Sequence, residues 1–337
     1  MQIKREAEFY EKLNSKRVQC KLCHHQCIID NNKIGVCGVR KNTDGILYAE
    51  TYGKFCSAAL DPIEKKPLYH FYPGSSILSF GSIGCNLKCF FCQNFEISQT
   101  NILEENINFL RTYQPEKIIE LCKQNNTNLV SFTYNEPLIM YEYLIDCVPE
   151  LKKNHIKSVL VTNGSINKDA ATELAKLINA ANIDLKAFTE EFYKKNCKGS
   201  LSYVMKFIEI FYEMKVHIEL TCLVIPTLND DINEIKKMVD WIAELDKNIP
   251  LHFSRYFPRY KASQPPTDEK LLIKIYEIAK NKLQYVYLGN VGLAKYSSTY
   301  CPNCNFELIT RNYYYITNKM VLDKCPNCNY KLPYFVV

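Results

Sequence analysis

Short apolar runs alternate with amphipathic segments along the middle of the chain. The apolar runs have the length of buried strands, and the segments between them carry apolar residues at the spacing of a helix face. The pattern predicts strands at 76–80, 129–133, 158–162, 181–185, 217–224, 251–256 and 285–287. It predicts helices at 115–125, 139–154, 168–178, 202–215, 232–244 and 268–282, with Asn167 and Thr267 as helix N-caps.

Strands and helices that alternate in this way predict an α/β fold. Each strand–helix unit takes roughly 25 to 35 residues, which fits right-handed crossovers between parallel strands. Six or seven such units indicate a partial (β/α)6-type barrel rather than a full eight-stranded barrel. We expect an N-terminal Cys-rich region at 1–72, the barrel at 73–295 and a C-terminal CxxC/CxxC ribbon at 296–337. Ligand-binding side chains should follow the strands.

The composition is that of a globular protein without a membrane span. Hydrophobic residues make up 47% of the chain and charged residues 23%, which are ordinary shares. No apolar run reaches the roughly 18 residues of a transmembrane helix, and the N-terminus lacks the apolar segment of a signal peptide. We therefore expect a cytoplasmic protein. The formal charge of +6 falls to roughly +1 once metal-bound thiolates are counted, so it does not indicate a nucleic-acid partner.

The sixteen cysteines give the strongest chemical signal in the sequence. A cytoplasmic protein keeps its thiols reduced, so we do not expect disulfides. Eleven of the sixteen fall into three groups with the spacing of metal ligands. The groups are Cys20, Cys23, Cys27 and Cys37; Cys85, Cys89 and Cys92; and Cys301, Cys304, Cys325 and Cys328.

The central group, Cys85-x3-Cys89-x2-Cys92, lies just after the first predicted strand. Three thiolates can hold a 4Fe-4S cluster and leave its fourth iron open to an exchangeable ligand. The alternatives are a zinc site, which wants a fourth ligand that is not nearby in sequence, and three unrelated buried thiols. The spacing favours the catalytic cluster.

This spacing is that of the radical S-adenosylmethionine (radical SAM) motif, with Phe91 at the aromatic position before the third cysteine. Further segments of the sequence resemble the AmmeMemoRadiSam-system radical SAM enzymes, which are related to pyruvate formate-lyase activating enzymes. These segments are 37–40, 61–74, 84–94, 97–99, 184–186, 287–290 and the terminal CPNC pair. The resemblance extends over nearly the whole chain. It implies an oxidoreductase that cleaves S-adenosylmethionine reductively at its 4Fe-4S cluster, giving a 5′-deoxyadenosyl radical that acts on an unidentified substrate.

The resemblance also implies where the methionine amino group binds. Asn135 and Glu136 fall where the superfamily has a Gly-Gly-Glu segment that meets this group. A carboxylate suits an ammonium because the hydrogen bond between them is charge-assisted. Neither glycine is present here, so only Glu136 carries over from the motif. The alternative is that Glu136 is a helix N-terminal acid beside Pro137.

Three other segments are implied to contact the cofactor. Asn163 and Gly164 resemble the turn on the ribose side, and Asp184 and Lys186 resemble an Asp-Leu-Lys segment that contacts the ribose and the carboxylate. His252 lies near where activating enzymes place a cofactor-contacting histidine. The residues themselves leave alternatives open: a surface ion pair between Asp184 and Lys186, and a core histidine at 252.

The two outer cysteine groups predict further metal sites. Cys301-x2-Cys304-x20-Cys325-x2-Cys328, with a hairpin at 313–321, is typical of a zinc ribbon, with rubredoxin-like iron or an auxiliary iron–sulfur cluster as alternatives. Cys20-x2-Cys23-x3-Cys27-x9-Cys37 fits either zinc or an auxiliary 4Fe-4S cluster. His24 and His25 are possible substitute ligands there, or exposed histidines.

Two other functions stay open at this stage. The first is a glycyl-radical enzyme activating enzyme similar to pyruvate formate-lyase activase. The second is a zinc-ribbon nucleic-acid-binding protein with a degenerate barrel, which the intact cysteine motif and Glu136 argue against. The resemblance implies an electron donor such as flavodoxin or ferredoxin, and an association with AMMECR-type and Memo-type proteins. Membrane and nucleic-acid partners are not expected.

Overall fold

The N-terminal part of the protein consists of short antiparallel strands. The computed structural model describes residues 4–103, 107–313 and 315–337. The first strands are β1 (Tyr10–Lys12), β2 (Val18–Cys20), β3 (Ile28–Ile29), β4 (Arg40–Thr43), β5 (Ile46–Ala49) and β6 (Lys54–Phe55). β1, β2 and β3 form one sheet, and β4 and β5 form a hairpin.

An eight-stranded sheet forms the centre of the molecule. The next strands are β7 (Ser57–Pro62), β8 (Ser76–Gly81), β9 (Arg111–Thr112), β10 (Leu129–Phe132), β11 (Lys157–Thr162), β12 (Ala180–Asp184), β13 (His217–Val224), β14 (Leu251–Arg255) and β15 (Val286–Gly289). The order across the central sheet is β7-β8-β10-β11-β12-β13-β14-β15, while β9 pairs with β6. β7 is antiparallel to β8, and all other neighbours are parallel.

This architecture confirms the predicted α/β fold, and all seven predicted strands are present. In the described part of the chain, no strand pairing joins β15 to β7. The sequence pattern missed β7, which lies inside the predicted N-terminal region and pairs with β8 along six residues. The region boundaries at 72 and 295 stay predictions.

Helices cover the sheet between successive strands. They are α1 (Phe95–Ser98), α2 (Pro115–Gln124), α3 (Tyr141–Lys153), α4 (Lys168–Ala175), α5 (Glu190–Phe192), α6 (Leu201–Glu213), α7 (Ile232–Asp246) and α8 (Glu269–Lys280). Shorter 3-10 turns lie at Asn14–Lys16, Ile63–Lys65, Pro137–Met140 and Ala294–Tyr296, and a π-helical turn at Tyr193–Cys197. Among the helices in the described ranges, none combines the length and the apolar character needed to cross a bilayer.

One of the two predicted N-caps is correct. The Asn167 side chain accepts a hydrogen bond of 2.8 Å from the Ala170 N–H and so caps α4. Thr267 is not the cap of α8, because the neighbouring Asp268 accepts from the first turn instead. The buried Thr267 hydroxyl donates to the carbonyl of Val224 at 2.6 Å, and it therefore ties the loop after β14 to the end of β13.

The C-terminal ribbon packs against the β15 side of the barrel. Its strands are β16 (Thr299–Tyr300), β17 (Glu307–Asn312) and β18 (Tyr315–Asn318), which form an antiparallel sheet. The hairpin of β17 and β18 begins earlier in the sequence than the predicted 313–321 hairpin, because β17 already starts six residues before that range. Leu308, Ile309 and Leu332 form a common buried cluster with Tyr287 of β15.

Candidate active site

A cavity of about 440 Å³ lies at the carboxyl ends of the parallel strands. Its walls come from the segments that follow β8, β10, β11 and β12, as parallel α/β sheets place their ligand sites. The structure brings nine of the predicted central-site residues into its lining. They are Cys85, Cys89, Phe91, Cys92, Asn135, Glu136, Asn163, Asp184 and Lys186.

The cysteine loop is held in place from two sides. Gly84 has a φ of +82°, and a Cβ there would lie 2.5 Å from the carbonyl oxygen of Cys37, so only glycine fits. The N–H of Cys85 donates to that same carbonyl at 3.2 Å. From the other side, the Asn135 amide donates to the carbonyls of Ile83 and Gly84, both at 3.1 Å. Asn135 thus positions the loop that carries the first cysteine.

The three thiols of this loop lie in an environment that disfavours free thiolates. Burial raises the pKa of Cys85 and of Cys92, and the neighbouring Cys197 thiol together with burial raises the pKa of Cys89. A bound cation reverses this preference because its charge stabilises the thiolates. The donor set therefore fits a metal cluster better than it fits three free thiols.

Glu136 is a buried acid on the cavity wall. Its Oε1 accepts hydrogen bonds from the Thr162 hydroxyl at 2.6 Å and the Leu138 N–H at 3.0 Å. Its Oε2 accepts one bond, of 2.8 Å, from the Asn163 N–H. Burial raises the pKa of Glu136 to about 7. The bond from Leu138 caps the 3-10 turn Pro137–Met140, so the helix-acid alternative is correct as a local description.

Asn163 belongs to a network of side-chain amides, in which Asn163 was predicted from the sequence and Asn86 was not. Its Nδ2 donates to Oδ1 of Asn86 at 2.9 Å and lies 3.7 Å from the Cys85 sulfur. Asn86 is fully buried, and its own Nδ2 donates to the carbonyl of Ser165 at 2.7 Å. Asn86 was missed because an asparagine in a loop ordinarily indicates only a turn.

Gly164 follows Asn163 but does not line the cavity. Its φ is +67°, and a Cβ there would lie 3.1 Å from the ring of Phe207. Its predicted contact with the ribose stays a prediction. The positive φ and the nearby Phe207 ring both favour glycine at this position.

Asp184 and Lys186 form an ion pair at the cavity wall, with 2.7 Å between Oδ2 and Nζ. The side chain of Lys186 is only 17% exposed, so this is not the solvated surface pair of the alternative interpretation. Burial acts to lower the pKa of Lys186, but the Asp184 carboxylate together with the Cys89 and Cys197 sulfurs holds that pKa well above the ordinary value. The pair thus places one cationic and one anionic side chain at the wall of the same cavity.

His252 lies outside this cavity, in the polar interior of the barrel. Its Nε2 is hydrogen bonded to Oε2 of the buried Glu219 at 2.7 Å. Glu219 also accepts from the backbone N–H of His70 at 2.7 Å. His252 borders a second cavity of about 420 Å³ instead. The structure therefore gives it the surroundings of the core-histidine alternative, because its side chain points inward from the strand.

A second charged cluster on the cavity wall was missed from the sequence. The carboxylate of Asp61, on β7, pairs with Lys65 at 2.8 Å and with the buried Lys66 at 2.7 Å, and it also accepts from the Tyr134 hydroxyl. Both lysines and Tyr134 line the cavity. The segment 61–74 contains Asp61, Lys65 and Lys66, but nothing in the sequence places Tyr134 next to them.

The four C-terminal thiols converge on one point. All four sulfurs lie within 4.8 Å of one another, and the pairs Cys301–Cys328 and Cys304–Cys325 are each 3.7 Å apart. A zinc–sulfur bond of about 2.3 Å corresponds to a tetrahedral edge of about 3.8 Å. The thiols therefore fit one tetrahedrally bound ion.

The knuckle asparagines cross between the two halves of this group. Asn303 donates to the Cys328 sulfur and Asn327 to the Cys304 sulfur, both at 3.4 Å. The bond from Asn303 lowers the pKa of Cys328 to about 6. Such donors stabilise thiolates, which are the form that binds metal.

The two N-terminal histidines are half-buried and hydrogen bonded. Nδ1 of His24 is hydrogen bonded to the Ser165 hydroxyl, and Nε2 of His25 to the carbonyl of Asn86, both at 2.7 Å. Both rings are half-buried, and burial lowers the pKa of His24 to about 4. The prediction of exposed histidines is therefore wrong, because both side chains hold the N-terminal region against the catalytic loops; their role as substitute metal ligands stays a prediction.

Comparison with known proteins gives a consistent result. The family model described as "Radical SAM superfamily" matches residues 81–242, which include the central cysteine motif. An uncharacterized protein of Methanocaldococcus jannaschii is 40% identical over 326 residues, which cover 95% of this chain and 94% of that protein.

More distant relatives have named activities. A probable GTP 3′,8-cyclase of Thermococcus kodakarensis is 25% identical over 252 residues, 67% of this chain and 78% of that protein. A pyruvate formate-lyase-activating enzyme of Staphylococcus epidermidis is 24% identical over 186 residues, 52% of this chain and 71% of that enzyme.

Proposed function

The chain belongs to the radical SAM superfamily of enzymes, and we propose that it binds a 4Fe-4S cluster through Cys85, Cys89 and Cys92 and S-adenosylmethionine in the cavity that these thiols line. When bound, the cluster supplies one electron for the cleavage of S-adenosylmethionine to methionine and a 5′-deoxyadenosyl radical, which acts on an unidentified substrate. The observation that carries the proposal is that the three thiols, a buried carboxylate and an ion pair share one cavity. Its volume lies in the range of small-molecule sites.

Glu136 supports binding of the methionine ammonium. An ionised carboxylate offers about four acceptor positions, and protein groups occupy three of them. The remaining position is on Oε2, which accepts only the bond from Asn163. An ammonium at this position would also stabilise the ionised form of the acid.

The Asp184–Lys186 pair supports binding of the rest of the cofactor. Lysine has three donors, and the bond to Asp184 uses one of those on Lys186. The others remain suited to a carboxylate of the ligand, while the Asp184 carboxylate suits a ribose hydroxyl. These are the two contacts that the sequence resemblance implies for this segment.

The test is anaerobic reconstitution of the full chain with iron and sulfide, followed by addition of S-adenosylmethionine and dithionite. We expect 5′-deoxyadenosine to form in the wild type and to disappear in Cys85→Ala, Cys89→Ala and Cys92→Ala. Cys56→Ala is the matched control, because Cys56 lies outside the three cysteine groups. Product from any of the three variants would contradict the proposed ligands.

We further propose that the protein is the radical enzyme of an AmmeMemoRadiSam system, with a flavodoxin or ferredoxin as electron donor and AMMECR-type and Memo-type proteins as partners. The motifs at 61–74 and 84–94 and the terminal CPNC pair support this. A glycyl-radical activase is the second candidate, favoured by the similarity to the pyruvate formate-lyase-activating enzyme. Co-purification under anaerobic conditions separates the two, since an activase should retain a glycyl-radical enzyme.

The third part of the proposal is that the C-terminal thiols bind zinc. The 3.7 Å spacings and the two asparagine donors support it. Metal analysis of the full chain should find about one zinc, which is lost in Cys304→Ser and retained in Cys56→Ala. Iron in place of zinc at this site would contradict it.

A further inference from the structure

The four N-terminal thiols form a second group close to the catalytic loop. Cys20 ends β2, and its N–H donates to the carbonyl of Cys27 at 2.9 Å, so the first three cysteines surround one tight turn. The loop with Cys37 returns to this turn, because a Cβ on Gly35 would lie 3.8 Å from the Cys27 sulfur. We propose that Cys20, Cys23, Cys27 and Cys37 hold a second 4Fe-4S cluster, which goes beyond the single cluster of the proposed function.

The spacing of the thiols separates this group from the ribbon. Among the residues that the structure describes, only the ribbon thiols come together within 4.8 Å as three or more ligand atoms. All four N-terminal cysteines are described, and no three of their sulfurs lie within this distance of one another, as is also true of the three catalytic thiols. A single zinc ion needs sulfurs about 3.8 Å apart, whereas the thiolates of a cluster bind different irons and are more widely separated.

Arg40 supplies an independent observation. Its side chain is 1% exposed, and its Nη1 lies 3.8 Å from the Cys20 sulfur. In the same guanidinium, Nη1 also donates to the carbonyl of Glu8, and Nη2 donates to the Glu142 carboxylate. The buried Nε has no partner among the described residues.

Oε2 of the same Glu142 carboxylate is also without a partner among the described residues, so the unpaired Nε does not by itself indicate a ligand. The contact of Nη1 with the Cys20 sulfur places a buried positive charge beside a thiol, and such a charge stabilises the thiolate that a metal site needs. Arg40 therefore supports a metal site at these thiols, and the spacing of the sulfurs is what favours the cluster over zinc.

The two cysteine groups are in direct contact. The carbonyl of Cys37 accepts from the N–H of Cys85 at 3.2 Å, so one hydrogen bond connects a ligand of one site to a ligand of the other. The bond between His25 and Asn86 adds a second link. An electron that leaves the reduced N-terminal cluster can thus reduce the catalytic cluster by one electron. A one-electron donor protein of the ferredoxin or flavodoxin class then restores the N-terminal cluster.

The test measures iron, acid-labile sulfide and zinc in the full chain after anaerobic reconstitution. The wild type should contain about eight irons and eight sulfides, and the triple variant Cys85→Ala/Cys89→Ala/Cys92→Ala about four of each. Reduction of the triple variant should give the electron paramagnetic resonance signal of a reduced cluster. Cys20→Ser/Cys37→Ser should lose about four irons and keep the catalytic set.

Two zinc ions per chain, with no labile sulfide in the triple variant, would overturn the proposal. If that variant does not fold, a wild-type sulfide count near four would overturn it equally. The 5′-deoxyadenosine assay on the wild type reports separately on the catalytic cluster, so the two proposals fail independently. Arg40→Lys keeps the charge but loses the Nη1 contact with the Cys20 sulfur, and it should make the reduction potential of the N-terminal cluster more negative, while the exposed Arg17→Lys control should not.

Discussion

Glu136 has a structural and a ligand-facing role in one side chain. Its Oε1 caps a 3-10 turn and accepts from Thr162, while its Oε2 retains an acceptor position at the cavity. The two interpretations that the sequence left open are therefore compatible. Replacing the carboxylate of Glu136 by an amide of the same shape removes the charge, and its effect distinguishes the ligand-binding role from the capping role.

Glu136→Gln should weaken the binding of S-adenosylmethionine roughly 5- to 150-fold. Charge-assisted hydrogen bonds are about twice as strong as neutral ones, which corresponds to a loss of about 1 to 3 kcal/mol. Cluster content should not change, because this carboxylate is not among the proposed iron ligands. Titration of the cofactor into the reconstituted variant, monitored by the visible spectrum of the cluster, measures the effect. An unchanged midpoint would mean that the ammonium binds elsewhere.

The same residue should make the stability of the metal-free protein depend on pH. Burial raises the pKa of Glu136 to about 7 in the folded state, so the protonated form stabilises the fold and this contribution is lost as the pH rises from about 4.5 through 7. The full effect is about 3 kcal/mol. Urea unfolding at pH 5 and pH 8 should show a larger loss in the wild type than in Glu136→Gln, in which this group no longer titrates. Equal losses in both proteins would show that Glu136 is not the group responsible.

The residues that were missed share one property: their partners are distant in sequence. Asn86 contacts Asn163 and Ser165, and Asp61 contacts Tyr134. The cysteine motif was found from its local spacing, and Glu136 from the resemblance to the superfamily's Gly-Gly-Glu segment. A turn asparagine or a half-buried tyrosine has no such local signal, and only the folded chain places it at the site.

At the scale of elements, the cysteine loop depends on close contact with the N-terminal region. Gly84 lies against the carbonyl of Cys37 and the side chain of Val39. The loop therefore has its observed path only because position 84 lacks a side chain.

Gly84→Ala should destabilise the protein by roughly 2 to 4 kcal/mol and reduce the iron content at the central site. The new Cβ would lie 2.5 Å from the Cys37 oxygen, at a φ of +82°, so both a clash and backbone strain contribute. Gly292→Ala is the control, because the nearest atom to its Cβ, the Tyr313 hydroxyl, is 3.8 Å away. Thermal unfolding and iron analysis check the result. Similar behaviour of the two variants would contradict the proposed contact.

The predicted strands and helices were correct where the hydrophobic pattern is unambiguous. The parallel strands β10 to β14 are buried along most of their length, and each carries buried apolar residues. β7 was missed because its residues alternate between exposed and partly buried and it ends in a proline, which weakens the strand signal. Likewise, the N-cap of α8 was misplaced by one residue because Thr267 and Asp268 are both good caps.

At the scale of the whole molecule, the ribbon connects the two ends of the open sheet. Arg311, on β17, is buried, and its guanidinium donates to the carbonyl of Tyr69 at 2.7 Å and to the Thr299 hydroxyl at 2.7 Å. Tyr69 precedes β8, while Tyr287 of β15 packs against the same ring. The ribbon thereby joins the first and last parallel strands without strand pairing.

Arg311→Met should destabilise the protein by about 3 to 5 kcal/mol. The variant leaves the buried carboxylate of Glu64, whose Oε1 is 3.6 Å from the Arg311 Nε, without its cation. Lys319→Met is the matched control, because the Lys319–Glu307 pair is partly exposed and worth under about 1 kcal/mol. Chemical denaturation of both variants measures the difference. A cost for Arg311→Met no larger than that of the control would mean that the ribbon does not anchor the barrel.

The contacts of Tyr334 and Val336 affect the order in which parts of the molecule fold. The N–H of Val336 donates to the carbonyl of His70 at 2.9 Å, and the hydroxyl of Tyr334 to that of Ile218 at 2.9 Å. These contacts span more than a hundred residues, and they can form only after residues 334–336 have been synthesised. A ribosome-bound nascent chain therefore has its catalytic strands before the base of the barrel is sealed, and docking of this tail should be a late, slow step of folding.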